Sequence, residues 1–499
     1  MNLKKQFPVP IEVYEWVRNT LLKDLDDNTY RFIVRLIDAT IYSLSQDRGP
    51  YVYVKPDIYK NIKLRDYGFV ELFNKKEADK SDSHPQHFVS VTKHRKPLFH
   101  ATYYVAKKKP RRFLLMWDFW VGYFIQLKDA FAEDKAITFV NLYTGKPINK
   151  KLLFKKECKY KPANKPEIRQ ALKQIESRPI NKRAILNHLK SIDLDSNSYK
   201  KYAGDFHGWI SIQLRGLAIL DTEKEIYSYK PIYRITSSGR VSEIGGGLQS
   251  CSREMKQASV EGIENVHNYD LKASQVNGLR HQFKLLGLDT GWLDEYINNS
   301  SAKEQLAEKA MLSKEAWKKC LLIVIMGGQT NKTVPIMKGS KDMKESDIYK
   351  EIKADIKRRN RSEPSEEEAS LVRDSFLEAI DGLRKPLKKW RRSLKKDYWK
   401  VGTSYGRKYK GEILIKNYLG ISYNIEAYTE GKLAARILQG QEAAFIHTLT
   451  TKSKDFGYQV IGNEHDGVLT IGEVPREAIE RTKQEIGISE FDLIEKAIV

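Results

Sequence analysis

Cysteine is scarce in this sequence, and long apolar runs are missing. Only three cysteines occur among 499 residues and none forms a C-x-x-C pair, so neither a disulfide framework nor a zinc site is indicated. No run of about 18 apolar residues is present, so a membrane-spanning helix is not expected. The N-terminus lacks the apolar segment of an export signal and the Arg- and Ser-rich character of a transit peptide. These absences favour a reducing compartment.

Acidic residues are too few to balance the basic ones. The chain has 87 lysines and arginines against 64 aspartates and glutamates, which gives a net charge of +23. Such an excess favours a polyanionic partner such as nucleic acid, although a soluble protein can carry this charge without one. Hydrophobic residues make up 41% of the chain, and its length exceeds what one core usually supports. We therefore predict two or three domains.

Local signals predict a chain that mixes helices and strands. Residues 51–54 and 87–91 are rich in β-branched and aromatic side chains and are predicted as strands. Pro166 and Asn181 are predicted to begin helices. Ser365 and Glu368 form a capping box at the start of another helix.

Asp270 ends a strand-like stretch, and an amphipathic helix follows it with Val276, Leu279 and Phe283 on one face. A carboxylate at a strand end is held by the sheet and stays open to ligands, which suits a magnesium ion. Taken alone, the pattern more often marks a helix cap or a turn.

Asp466 lies in a segment where two apolar stretches flank a turn, His465-Asp466-Gly467. A hairpin of this kind can bring a second carboxylate beside Asp270. Two magnesium ions about 3.5–4 Å apart need shared carboxylates, and they stabilise the attacking and leaving oxygens of phosphoryl transfer. The alternative is a plain hairpin, because Asp-Gly is a common short turn.

Between these aspartates, Lys314, Lys318, Leu322 and Met326 recur every four residues, so the pattern predicts that they share one helical face. The two cations could hold a triphosphate, and the apolar pair could stack a base. An ordinary amphipathic helix with lysines at one end fits equally well.

Residues 340–400 are highly charged, and the helix predicted to follow the Ser365 capping box carries a dense group of cations. A solvated face and a surface that follows phosphates both fit this pattern. The cations are Arg384, Lys385, Lys388, Lys389, Arg391, Arg392, Lys395 and Lys396.

Three further segments complete an ordered set. Residues 236–242 with Leu248-Gln249 resemble a T-x-x-G-R-L-S segment followed, at the same spacing, by L-Q. Residues 403–409 resemble T-L-x-G-R-R-R-Y, and residues 438–444 resemble a Q-G-T-A-A helix. The order of all these segments is similar to that of the family A DNA polymerases (DNA polymerase I-like) and the related single-subunit, phage-type RNA polymerases. The resemblance covers about residues 165–499.

The resemblance implies an α+β, mixed α/β fold: a right-hand polymerase with an antiparallel-sheet palm and helical fingers and thumb, plus a mixed N-terminal domain. The implied parts are a basic accessory domain over 1–150, thumb-like helices over 151–225, the first part of the palm over 226–300, fingers over 301–400 and the second part of the palm over 401–499. Residues 1–150 contain no Asp-x-Glu motif, so a 3′–5′ proofreading domain is not expected.

The resemblance also implies residue roles. Asp270 and Asp466 would be the catalytic metal ligands, with the backbone carbonyl of Leu271 as a further ligand for two Mg²⁺ ions, or Mn²⁺ in their place. Nucleotide contacts would come from Lys314, Lys318, Leu322, Met326 and Gln275. Primer and template contacts would come from Arg240, Gln249, Arg407, Gln439 and His465. The expected partners are a primer–template duplex and nucleoside triphosphates, with an accessory protein through the N-terminal domain and no membrane. The expected location is the cytoplasm of a bacterial or phage-infected cell.

Several positions depart from the family pattern. Lys314 stands where an arginine is usual, Leu322 and Met326 replace an aromatic residue and a tyrosine, and Gly467 replaces an acidic residue. Gln275 stands where DNA polymerases have glutamate, and Ser274 precedes it as in the RNA polymerases. Glutamine is as bulky as glutamate but uncharged. DNA synthesis without proofreading is the favoured expectation, because the segments around Arg240, Gln249 and Gln439 resemble those of the DNA polymerases. An RNA polymerase, primase-like or reverse-transcribing enzyme and an inactive nucleic-acid-binding module are the alternatives.

Overall fold

The structure is a computed structural model of the chain. It describes residues 6–21, 27–44, 52–54, 69–70, 88–93, 96–102, 111–115, 117–132, 136–154, 165–175, 177–194, 198–335, 343–396, 406–409 and 412–497. Helices and strands alternate along these ranges, and their strand pairs are antiparallel, which confirms a mixed α and β architecture.

The first half of the chain carries short strands between longer helices. Its elements are β1 (Pro8–Pro10), α1 (Ile11–Glu15, continued by a π-helix over Trp16–Leu21), α2 (Asp27–Leu44), β2 (Val52–Val54), β3 (Phe69–Val70), β4 (Phe88–Lys93), β5 (Lys96–Thr102), β6 (Arg111–Leu115), α3 (Trp117–Ala132), β7 (Phe139–Asn141), α4 (Lys150–Leu153), α5 (Pro166–Gln174), β8 (Arg178–Asn181), α6 (Lys182–Ser191), α7 (Ser198–Arg215), β9 (Ala218–Asp221), β10 (Ile226–Tyr229), β11 (Tyr233–Ile235) and β12 (Val241–Glu243). Strands β2 and β4 confirm the two strands predicted near residues 51 and 87.

The second half is richer in long helices. Its elements are α8 (Arg253–Val260), β13 (Val266–Leu271), α9 (Ser274–Leu285), α10 (Gly291–Asn298), α11 (Ala302–Lys309), α12 (Lys314–Ile325), β14 (Thr333–Pro335), β15 (Met343–Glu345), α13 (Asp347–Asn360), α14 (Glu366–Ala379), α15 (Asp381–Lys396), β16 (Gly406–Tyr409), β17 (Glu412–Lys416), β18 (Ser422–Asn424), α16 (Glu430–Thr451), β19 (Gln459–Asn463), β20 (Gly467–Ile471), α17 (Arg476–Ile486) and β21 (Leu493–Lys496).

The described strands form seven separate sheets, two of which have four or more strands. The larger joins β2-β6-β5-β4-β3, and the other joins β19-β20-β13-β21 in that order. Strand β13 therefore lies inside its sheet, between the C-terminal hairpin β19–β20 and the C-terminal strand β21. Residues more than 190 positions apart in sequence become neighbours there.

Local capping signals place the helix starts where the sequence predicts them. Helix α5 begins at Pro166, and Asn181 caps α6 by accepting a hydrogen bond from the Ala184 N–H at 2.9 Å. Ser365 caps α14 by accepting from the Glu368 N–H at 3.0 Å, whereas the Glu368 carboxylate accepts from the Asn360 side chain at 3.0 Å. The Ser365 half of the capping box is thus confirmed.

Two large hydrophobic cores hold these elements together. One gathers the four-stranded sheet, helices α9 to α17 and Ile168 of α5. The other combines buried residues between Phe7 and Ile41 and between Trp120 and Leu142 with α6, α7 and neighbouring residues up to Met255. The second core therefore crosses residue 150, where the sequence predicts a domain boundary.

Helices α12 and α16 meet where two glycines face each other. A Cβ at Gly327, whose φ is +90°, would lie 2.2 Å from the Cα of Gly431. Only residues without side chains allow this approach. It fixes the end of α12 against the first turn of α16.

No helix in the described ranges has the length and apolar character needed to cross a membrane.

Candidate active site

Asp270 and Asp466 come together because β13 pairs with β20. The register sets Asp270 opposite Gly467, and the Leu271 N–H donates to the carbonyl oxygen of Asp466 at 2.8 Å. Both aspartates line the same cavity. Residues 196 positions apart in sequence thus meet where β13 ends and β20 begins.

Gly467 permits this close pairing. A Cβ at this position would lie 2.3 Å from Oδ1 of Asp270 and 2.4 Å from the carbonyl oxygen of Tyr269. An acidic side chain at residue 467 therefore has no room in this arrangement. The departure from the family pattern has a steric reason.

The turn before Gly467 is held by a buried ion-pair network. Glu464 contacts Arg178 at 3.2 Å and Lys256 at 2.8 Å. Burial alone would raise the pKa of Glu464, but the charges of Lys256 and Arg178 outweigh it and hold this pKa below its usual value. His465 occupies the left-handed region with φ +76°, and its N–H donates to the Asn463 side chain at 3.0 Å. Glu464 therefore anchors the turn that presents Asp466.

Lys496 brings a cation to the first aspartate. Strand β21 places Lys496 opposite Asn268, and its ammonium group contacts Oδ2 of Asp270. Asp270 keeps 26% of its side chain exposed. A positively charged group thus sits against the oxygen that a metal ion would use.

The cavity beside these carboxylates measures about 330 Å³. The wall of this cavity combines negative and positive side chains. The cavity therefore suits an anionic ligand that is joined to the two aspartates through bound cations. The charged residues of the wall are Arg178, Arg253, Lys256, Asp270, Glu464, Asp466 and Lys496.

Arg240 is paired with a carboxylate that the sequence analysis did not single out. Its guanidinium contacts Glu442, whose side chain is fully buried in α16. Burial raises the pKa of Glu442, while the Arg240 charge and a hydrogen bond from Ser274 oppose that rise. Burial and the charge of Arg240 lower the pKa of His465, so its imidazole is neutral near pH 7. The one sequence signal for Glu442 was an acidic residue directly before the apolar run Ala443 to Ile446.

Several buried polar atoms around this pair have no hydrogen-bond partner among the described residues. Buried polar atoms without a protein partner call for one from outside the described chain, such as water or a ligand. The atoms are Oε1 of Gln275, Nε of Arg240, Oε1 of Glu442, Oε1 and Nε2 of Gln441, and Nδ1 of His465.

Helix α12 presents the predicted nucleotide-binding face. Ser313 caps it by accepting from the Ala316 N–H at 3.2 Å. Lys314 and Lys318 are exposed, and Leu322 is half-buried one turn further on. The helix ends at Ile325, so Met326 lies just past it, although its N–H still donates to the Leu322 carbonyl at 2.9 Å.

A further lysine joins the two on α12. Burial and the positive charges of Lys318, Lys314 and Lys272 lower the pKa of Lys303, on α11. Lys272 follows Asp270 by two residues, so this cationic group links α12 to the carboxylates. Lys314 contacts Glu304. The sequence analysis missed Lys303 because its neighbours come from different elements.

The predicted primer and template residues have different surroundings. Gln249 accepts from the Glu243 N–H at 2.7 Å and donates to the carbonyls of Val241 (3.2 Å) and Asn463 (2.8 Å), so its amide ties β12 to β19. Gln439 is half-buried on α16. Arg407 lies on β16, and its side chain is outside the described part of the structure. Leu271 pairs with Leu493 of β21. The roles given to these residues stay predictions.

No protein-family model matches the chain, and no curated protein does either. Among solved structures, the chain is similar to the POL domain of Pol1 from M. smegmatis, in complex with a DNA primer-template and dNTP. The match has a TM-score of 0.37 and 12% sequence identity. The match covers 76% of this chain and 65% of the M. smegmatis chain, so this chain spans less than two thirds of the length of the M. smegmatis chain. Because the TM-score is low, we base no functional inference on this likeness.

Proposed function

We propose that this chain is a template-directed nucleotidyltransferase, most simply a DNA polymerase that extends a primer in the 5′–3′ direction without proofreading. The observation that carries the proposal is the β13–β20 pairing, which sets Asp270 and Asp466 side by side where β13 ends and β20 begins. In this proposal the sheet with both aspartates is the palm, residues 301–400 are fingers and residues 151–225 a thumb.

The donor set fits two magnesium ions. No group of three or more His, Cys, Asp or Glu side chains that could hold a metal occurs within the described ranges. Two carboxylates suffice, because Mg²⁺ is commonly held by one or two carboxylates together with substrate phosphates and water. Lys496 already places a positive charge against Asp270. When bound, the ions would supply Lewis-acid stabilisation of the attacking and leaving oxygens.

The chain's own residues bind and orient the substrates. Lys314, Lys318 and Lys303 present positive charge to the triphosphate, where lysine acts as a point charge without the bidentate fork of arginine. Glu464, held by Arg178 and Lys256, fixes the turn that carries Asp466. Arg240 and neutral His465 stand beside the expected primer end.

The sugar preference rests on Gln275, whose Oε1 is buried without a partner in the described chain. A bulky amide at this position favours a deoxyribose, because it fills the space that a 2′-hydroxyl needs. The Gln275 amide can both donate and accept a hydrogen bond, so it could also contact a ribose 2′-hydroxyl. Ribonucleotide synthesis is therefore the second candidate.

One extension assay tests the proposal. Purified full-length protein with Mg²⁺ is given DNA or RNA templates, with and without primers, and either dNTPs or NTPs. We expect primer extension with dNTPs on a primed template, and loss of at least about a thousandfold in rate for Asp270→Ala and Asp466→Ala with duplex binding kept. The exposed Asp455→Ala variant is the control. Retained synthesis in either aspartate variant would remove the two-metal assignment.

A further inference from the structure

Helix α15 is amphipathic in an unusual way, because nearly its whole outer face is cationic. Its apolar residues Leu383, Leu387, Trp390 and Leu394 are buried against the rest of the protein. The residues between them form what we call the basic strip, all exposed: Arg384, Lys385, Lys388, Lys389 and Arg392.

The basic strip is not neutralised by the protein itself. Among the described residues, only Arg384 of the strip has a carboxylate within ion-pair distance, Asp381 at 3.3 Å. Like charges at i and i+4 along one helix repel each other and destabilise it. Lys388 and Arg392 stand in this relation, and so do Lys385 and Lys389. Because no carboxylate of the described chain offsets most of this repulsion, an anion from outside the chain would stabilise the helix.

Helix α13 lies in the same charged region, but its cations are paired with carboxylates. Each of its five central and C-terminal cations contacts a carboxylate, so the local composition does not by itself leave lysines and arginines unpaired. These contacts are Lys350–Asp347, Lys353–Glu345, Lys357–Glu363, Arg358–Glu351 and Arg359–Asp355.

The dimensions and chemistry of the strip identify its partner. Arg384 and Arg392 are eight residues apart, or about 12 Å along the helix. A DNA strand advances about 3.4 Å per phosphate along the duplex axis, so the strip matches three or four phosphates. Surfaces for single strands add exposed aromatic rings on which bases stack. The single aromatic residue of α15, Trp390, is fully buried.

We propose that the basic strip binds the phosphate backbone of a nucleic-acid duplex, independently of base sequence and outside the catalytic centre. Arg391, half-buried beside the strip, adds a further positive charge at its edge.

Salt dependence of duplex binding tests the proposal. The probe is a labelled 30-base-pair DNA duplex, titrated with the full-length protein at several KCl concentrations without nucleotides or divalent ions. The test variant is the triple change Lys388→Gln, Lys389→Gln and Arg392→Gln. Glutamine has nearly the helix propensity of lysine and arginine, so α15 should persist. Each lost phosphate contact lowers the slope of log K against log[salt] by about 0.9, so we expect a slope smaller by about 2.7.

The matched control removes three charges from α13, with Lys350→Gln, Lys357→Gln and Arg358→Gln. We expect its slope to equal that of the wild type. Thermal unfolding of each variant checks that the fold is kept. The proposal would be overturned if the test variant kept the wild-type slope, or if the control lost as much slope as the test variant. It would also be overturned if the wild type did not bind the duplex. A loss confined to a single-stranded probe would overturn the assignment to a duplex. Because the assay contains no nucleotide, its result stands apart from that of the extension assay.

Discussion

Gly467 controls how closely β13 and β20 approach each other beside Asp270 and Asp466. Since a Cβ there would overlap both Oδ1 of Asp270 and the Tyr269 carbonyl, β13 and β20 would have to separate to admit one. We predict that Gly467→Ala lowers the free energy of unfolding by about 1–3 kcal/mol, the usual cost of overpacking. It should also reduce the rate of primer extension, because the spacing of the aspartates changes.

Urea unfolding and single-nucleotide incorporation measure these two effects. Gly291→Ala is the control, since the nearest atom to its added methyl would be a side-chain oxygen at 3.2 Å. If Gly467→Ala were as stable and active as the control, the tight pairing of β13 and β20 would be wrong.

Arg240 and Glu442 form a buried pair in which each residue compensates the charge of the other. We predict that Arg240→Met alone lowers the free energy of unfolding by about 3–5 kcal/mol, because it leaves the fully buried Glu442 without its counter-charge. The double variant Arg240→Met, Glu442→Met should recover most of this loss, since apolar replacement of both partners is often neutral.

A double-mutant cycle of urea unfolding measures this coupling. Additive effects would show that the two side chains do not interact. Primer extension is a separate readout. Both variants should extend primers poorly if Arg240 contacts the primer end, whatever their stability.

Helix α12 offers adjacent lysines with different surroundings. Lys318 lies on the face that continues through Leu322, whereas Lys319 contacts Glu351 at 3.6 Å. We predict that Lys318→Ala raises the KM for the nucleotide by roughly ten- to a hundredfold, because a hydrogen bond to a charged group contributes about 1.5–3 kcal/mol. Lys319→Ala should leave KM within about twofold. Steady-state extension kinetics decide between them, and equal effects would contradict the assignment of this face to the triphosphate.

The sequence predicted those elements whose boundaries depend only on residues close by in the chain. The starts of α5, α6 and α14 follow from Pro166, Asn181 and Ser365, because a cap needs only the next few residues. The helical face of Lys314 and Lys318 follows from periodicity in the same way. The prediction that Asp270 and Asp466 lie together came from the order of the segments. In the structure, the register of β13 with β20 brings the two residues together.

Contacts made across long sequence distances could not be predicted. Lys496 reaches Asp270 from 226 positions away, and Glu442 reaches Arg240 from 202 positions away. Lys496 lies outside the matched segments, and Glu442 lies inside residues 438–444 without a predicted role; each is placed by sheet register or helix packing. The anchoring of Glu464 by Arg178 and Lys256 was missed for the same reason.

At the scale of the whole molecule, the second hydrophobic core includes side chains from both sides of residue 150. Helix α7 contributes Phe206 and Trp209 to this core, and the ring of Phe206 lies 5.3 Å from that of Phe124 in α3. His207 stacks on Phe7 and hydrogen-bonds Tyr123 at 3.1 Å. Burial lowers the pKa of His207 to about 3.

We therefore predict that the N-terminal segment cannot be removed as a separate module. In a variant of residues 151–499, the inner face of α7 would be exposed, and burial of large aromatic side chains is a main source of stability. Amide hydrogen exchange followed by mass spectrometry should show α7 protected in the full chain and exchanging rapidly in the shortened one. Helix α16, which belongs to the other core, should stay protected in both. Equal protection of α7 in the two proteins would mean that residues 1–150 do form an independent accessory domain, and that the core shared across residue 150 adds little to the stability of α7.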